Sequence, residues 1–193
     1  MWELAAHGLS LIRFGLGPLW IAALDGPPAA ALLVALAACT TDSLDGRVAR
    51  LGQRSTNTVI TGSSDQSSIG PGRVHFGALL DVAADGIFLL ITLFAAAARG
   101  YVSPLLPFAA LIALLGLALR WFRKPPRHGD LVPRRALADR IGHAAGVANY
   151  AIVVGASAIP LGLLSPALVV PASLAVAALN ATAVLLRVLR SRR

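Results

Sequence analysis

Gly77-Ala-Leu-Leu-Asp81-Val-Ala-Ala-Asp85-Gly-Ile-Phe-Leu-Leu-Ile-Thr-Leu-Phe-Ala-Ala-Ala-Ala98 is an apolar run interrupted twice by carboxylates. It is long enough to cross a bilayer as a helix, which needs about 20 residues. An aspartate at the centre of such a helix costs about 2.5–3.5 kcal/mol, so intramembrane carboxylates are rare and usually functional. Asp81 and Asp85 are four residues apart and fall on one helical face. The apolar run before it ends in a similar pair, Asp42-Ser-Leu-Asp45-Gly46-Arg-Val-Ala49-Arg50. Asp42 and Asp45 are three apart, which again gives one face.

The rest of the chain is of the same kind. Of its 193 residues, 56% are hydrophobic and 13% charged, with mean hydropathy +0.73. That composition places it in the membrane class. Ala, Leu, Val and Ile come in long runs, which suit helices better than the alternation of a barrel. Six apolar segments follow, at 9–24, 28–45, 77–98, 102–122, 144–162 and 166–187. Short Pro- and Gly-containing connections join antiparallel neighbours at Asp25-Gly-Pro-Pro28, Arg99-Gly-Tyr-Val-Ser-Pro104 and Gly162-Leu-Leu-Ser-Pro166. The expected fold is all-α: a polytopic membrane protein with six transmembrane helices, forming a single domain over 1–193. No cleavable signal peptide is expected, because Arg13 and Pro18 interrupt the first run. There is no internal repeat.

Net charge is +8. On the six-span reading, Arg99 stands alone at one set of helix ends, and the other basic residues gather at the opposite set. Cytoplasmic ends hold the excess of Lys and Arg, so both termini are expected in the cytoplasm. The charge then serves topology and anionic lipid contact rather than nucleic acid. The expected location is the cell (inner) membrane, with the site at its cytoplasmic face. Cys39 is the one cysteine, so neither an intrachain disulfide nor a Cys-based metal cluster can form. His7, His75 and His128 have no metal-ligand spacing.

Four carboxylates at the ends of two neighbouring helices repel one another unless cations neutralise them. An all-oxygen site suits Mg²⁺ or Mn²⁺, and two ions fit Asp42, Asp45, Asp81 and Asp85. The bland alternative is a set of helix-end charges reaching water or pairing with nearby Arg. Gly46 lets a bulky ligand approach the backbone. Ala49 is small and one turn on, Arg50 can grip a phosphate bidentately, and Gly77 allows close helix packing. Residues 51–76 are rich in Ser, Thr, Gly and Gln and are expected to form a flexible cytoplasmic insert. Longer loops cost little closure entropy, so the Asp pairs can still meet.

These residues resemble the CDP-alcohol phosphatidyltransferase family, whose signature is D-x2-D-G-x2-A-R followed by G-x3-D-x3-D. Asp42, Asp45, Gly46, Ala49, Arg50, Gly77, Asp81 and Asp85 match all eight positions. Upstream, Leu9-Ser-Leu-Ile-Arg13-Phe-Gly-Leu-Gly-Pro18 is similar to the family's opening L-[ST]-x2-R-x4-P. The resemblance implies that a CDP-linked lipid, typically CDP-diacylglycerol, donates a phosphatidyl group to a small alcohol, and CMP leaves. It implies metal on the four Asp residues and Asp85 as general base. It also implies donor contact by Asp42, Asp45, Gly46, Ala49, Arg50, Gly77 and Asp81. It further implies phospholipid biosynthesis, a synthase of the phosphatidylglycerophosphate or phosphatidylinositol-phosphate kind, and a homodimer. In the basic stretch from Arg120 to Arg140, with His143 beyond it, Arg134, Arg135, Arg140 and His143 are candidates to hold a phosphorylated polyol, glycerol 3-phosphate or inositol phosphate. Those charges serve equally as lipid contacts.

Two other classes stay open. A small ion transporter would spread its acids through the membrane depth, whereas these four cluster at one edge. A catalytically inactive scaffold relative would keep the fold without the transfer. Release of CMP on adding an acceptor separates the transferase from both.

Overall fold

The computed structural model describes residues 2–41, 44, 71–123 and 137–191. Among them are six helices and no strand. They are α1 (Trp2–Leu24), α2 (Ala30–Thr41), α3 (Pro71–Ala98), α4 (Leu105–Arg123), α5 (Leu137–Ala158) and α6 (Pro166–Ser191). The all-helical expectation holds for these residues. Two stretches are long and apolar enough to cross a membrane, Arg140–Ala158 and Pro166–Leu189. Ser10–Leu24, Ala30–Thr41, Val82–Ala98 and Leu105–Leu119 are apolar but shorter.

Helix and apolar run do not coincide. α1, α3 and α5 begin before the runs at 9, 77 and 144, because backbone hydrogen bonding does not require apolar side chains. Residues 71–76, expected in a flexible connection, form the first turns of α3 instead. Pro71 starts that helix at a position where a missing N–H costs nothing. The remainder of the expected insert, 51–70, lies outside the described residues.

The chain divides into two compact units, Met1–Phe88 and Leu89–Arg193. In the first, α1 buries Ser10, Arg13, Gly17 and Trp20, spaced three and four apart as one helical stripe. α2 buries Ala31, Ala35 and Ala38 in the same way. Its last described turn ends in Thr40 and Thr41, whose hydroxyls donate to the carbonyls of Ala37 and Ala38.

In the second unit, α6 packs against both α4 and α5. The α5–α6 register is antiparallel. Asn149 faces Asn180, and seven residues away on each helix Gly142 faces Arg187. Small and polar side chains face inward on α6, among them Ser173, Ala177, Asn180 and Ala183. Leu168, Leu174, Leu185 and Leu189 face outward, with Leu168 65% exposed. Small residues within and leucines outside are the arrangement of helices packed in lipid. In water, so much outward apolar surface would be an association hazard.

Two connections share one design. Gly100-Tyr-Val-Ser103-Pro104 and Gly162-Leu-Leu-Ser165-Pro166 both read G-x-x-S-P. Gly100 and Gly162 have φ of +74° and +70°, a left-handed conformation that favours glycine. Each closes a helix by paired hydrogen bonds, Gly100 N–H to Ala97 O with Tyr101 N–H to Ala96 O, and Gly162 N–H to Ile159 O with Leu163 N–H to Ala158 O. Ser103 and Ser165 then cap the next helix through their hydroxyls, with Pro104 just before α4 and Pro166 as the first residue of α6.

Candidate active site

The site is built around α3. Its helix is continuous from Pro71 to Ala98, so Gly77, Asp81 and Asp85 lie on successive turns of one face. Ala84, Gly86 and Phe88 are buried around Asp85, which fixes this part of the helix. The Asp85 side chain is 26% exposed, so its carboxylate sits at the edge of the packed interior.

Opposite it stands Arg13 of α1. Nη1 of Arg13 donates to Oδ1 of Asp85, and the two form an ion pair across 72 residues of sequence. The Arg13 side chain is completely buried, at 0% exposure. A buried arginine is stable only when paired and hydrogen-bonded, and Asp85 supplies that partner. Sequence reading noted Arg13 as a motif position and an interruption of the first apolar run. It gave no sign that Arg13 would meet Asp85.

Other predicted residues divide by location. Asp42, Asp45, Gly46, Ala49, Arg50, Arg134 and Arg135 lie outside the described residues. Gly77 and Asp81 have their helical backbone described. Arg140 and His143 lie near the start of α5, three residues apart, and both are exposed. Arg187, which sequence reading counted only as a topological charge, packs over Gly142 between them in sequence. Its guanidinium carbon lies 3.2 Å from where a Cβ of residue 142 would stand. Glycine at 142 makes that approach possible, and nothing along the sequence pairs residue 142 with residue 187.

Among the described residues, no three His, Cys, Asp or Glu side chains group closely enough to hold a metal. Asp42 and Asp45 lie outside those residues. The donor set itself fits a hard divalent cation: carboxylates only, two of them one helical turn apart on α3. An apolar groove of about 640 Å³ lies between α4 and α6, lined by Phe108, Ile112, Ala177, Ala181 and Leu185 among others. No titratable side chain lines it, so it is not the site of the chemistry.

One family model matches, CDP-alcohol phosphatidyltransferase, over residues 3–58. Over those residues the chain is similar to that family. The matched segment contains Arg13 and the first half of the carboxylate pattern, Asp42 to Arg50. CDP-alcohol phosphatidyltransferases are integral to membranes, are generally dependent on a divalent metal, and transfer a phosphatidyl group from a CDP-alcohol. No curated protein and no solved structure matches the chain.

Proposed function

We propose that this chain is a CDP-alcohol phosphatidyltransferase that moves a phosphatidyl group from CDP-diacylglycerol to a phosphorylated polyol, glycerol 3-phosphate or inositol phosphate, and releases CMP. The observation that carries this reading is Asp85: a carboxylate paired with a buried arginine and partly exposed at the edge of the helix packing. Asp85 takes the proton of the acceptor hydroxyl. The alcohol oxygen then forms its bond to the phosphatidyl phosphorus. The bond from that phosphorus to the bridging oxygen breaks, and CMP leaves with the electron pair.

Asp42, Asp45, Asp81 and Asp85 are the residues that would hold Mg²⁺ or Mn²⁺, two ions in this reading. Bound metal would neutralise the donor pyrophosphate and the charge on departing CMP. Gly46, Ala49, Arg50 and Gly77, with Asp42, Asp45 and Asp81, line the donor. Arg134, Arg135, Arg140 and His143 draw in the anionic acceptor. All six helices span the cell (inner) membrane with both termini in the cytoplasm, the site faces the cytoplasm, and the enzyme works as a homodimer in phospholipid biosynthesis. The outward leucines of α6 support immersion in lipid.

The test is release of CMP from CDP-diacylglycerol by the full chain in detergent, with each acceptor added in turn. Asp85→Asn is expected to abolish release, and chelation of divalent cations is expected to stop it until Mg²⁺ or Mn²⁺ is restored. Full activity in Asp85→Asn removes the base assignment, and activity without divalent cation removes the metal site.

A further inference from the structure

We infer that Arg13 is a positioning residue, which fixes the carboxylate of Asp85 in the orientation that the transfer needs. The inference rests on the proposed role of Asp85 and deepens it. Arg13 has three possible uses in a membrane helix, and its surroundings separate them. An arginine serving topology or lipid headgroups extends its charge to water, whereas Arg13 is wholly buried. An arginine gripping the donor pyrophosphate must reach the ligand, and complete burial again argues against it. The remaining use is to act through a side chain it holds, and the ion pair with Asp85 places a carboxylate there.

Stability alone does not account for the pair. A buried ion pair can often be replaced by well-packed apolar residues without loss, and α1 is otherwise rich in such residues. The two ends of the pair are also unequal. Arg13 is enclosed, while Asp85 remains 26% exposed. The carboxylate is therefore held from inside and offered outward. Its backbone is fixed by α3, with Ala84 and Gly86 buried on either side. Its terminal group is fixed by a planar guanidinium, which specifies direction as well as charge. Preorganised groups of this kind act by keeping a reacting side chain within a fraction of an ångström of its working geometry.

The experiment uses the full chain in detergent, as wild type, Arg13→Gln, Arg13→Lys, Asp85→Asn and Arg13→Gln/Asp85→Asn. Steady-state CMP release gives kcat and KM for CDP-diacylglycerol, and Mn²⁺ binding is measured by electron paramagnetic resonance without substrate. Arg13→Gln is expected to lower kcat about 10–100-fold, as loss of a supporting partner does, with KM changed by less than about twofold. Arg13→Lys keeps the charge without the planar fork and falls between the two. Arg13→Gln weakens Mn²⁺ binding in the wild-type background and leaves it unchanged in the Asp85→Asn background. A raised KM with unchanged kcat overturns the inference, because Arg13 then touches substrate. Additive losses of Mn²⁺ affinity, or full activity in Arg13→Lys, overturn it as well. If Arg13→Gln fails to fold, Arg13→Lys alone decides by the same kcat criterion. A wild-type chain that releases no CMP refutes the transfer reading instead, and the Mn²⁺ cycle still measures whether Arg13 acts through Asp85.

Discussion

The place of Asp85 on α3 follows from local helix formation, but its partner lies 72 residues away on α1. A four-residue period puts Asp81 and Asp85 on one face, and that was legible in the sequence. No period relates residue 13 to residue 85, so their meeting was not. Glycines differ in the same way. Gly162 ends its helix at φ +70°, and Gly162→Ala is expected to cost about 1–2 kcal/mol, because a Cβ crowds the backbone there. Reversible unfolding in mixed micelles reads that loss. Gly142 is helical, and a Cβ there meets only the guanidinium end of Arg187. Gly142→Ala should therefore leave the thermal midpoint nearly unchanged, since helix propensity gains about 0.5–1 kcal/mol while Arg187 swings aside. Gly142→Leu should lower the midpoint measurably.

Between helices, polar contacts set the register. Nδ2 of Asn180 donates to Oδ1 of Asn149 at 3.1 Å, and the return bond from Asn149 is 3.4 Å. Asn180 also donates to the carbonyl of Val176 within its own helix. On the α4 side, the backbone N–H of Ser103 donates to Oγ of Ser173 at 2.8 Å. Interhelical hydrogen bonds in lipid average about 0.6 kcal/mol and reach about 1.7. Asn180→Ala should fall in that range, and Asn149→Ala/Asn180→Ala should cost less than the sum of the single changes. A strictly additive double-mutant cycle, from unfolding in detergent, would mean that the pair is not coupled. The structure pairs Asn149 with Asn180 across α5 and α6. Asn180 drew no notice, because an asparagine within a long apolar run shows no partner until helices are placed side by side.

For the molecule as a whole, the charge distribution makes the topology testable. With Cys39 replaced by serine, single cysteines at Tyr101 and Leu163 should react with an impermeant thiol reagent from outside the cell. Cysteines near either terminus should react only in inverted vesicles. Labelling of a terminus from outside would overturn the six-span orientation. Two helices have span length and hydropathy on their own, and the others are apolar over shorter stretches. Within its unit, α6 turns small and polar residues inward and leucines outward, as helices packed in lipid do.

Composition and periodicity were sufficient for the helical class, the turn positions and the faces bearing Asp81 and Asp85, because these depend on local backbone geometry and on transfer of side chains from water. The eight-residue pattern pointed to the family, and the match over 3–58 agrees. The helix starts at Pro71 and Leu137 were not legible, since a polar turn reads as loop until it hydrogen-bonds. Only the tertiary structure joined Arg13 to Asp85, Asn149 to Asn180 and Arg187 to Gly142. Each of these contacts depends on how one helix lies against another, and no spacing along a single helix records that.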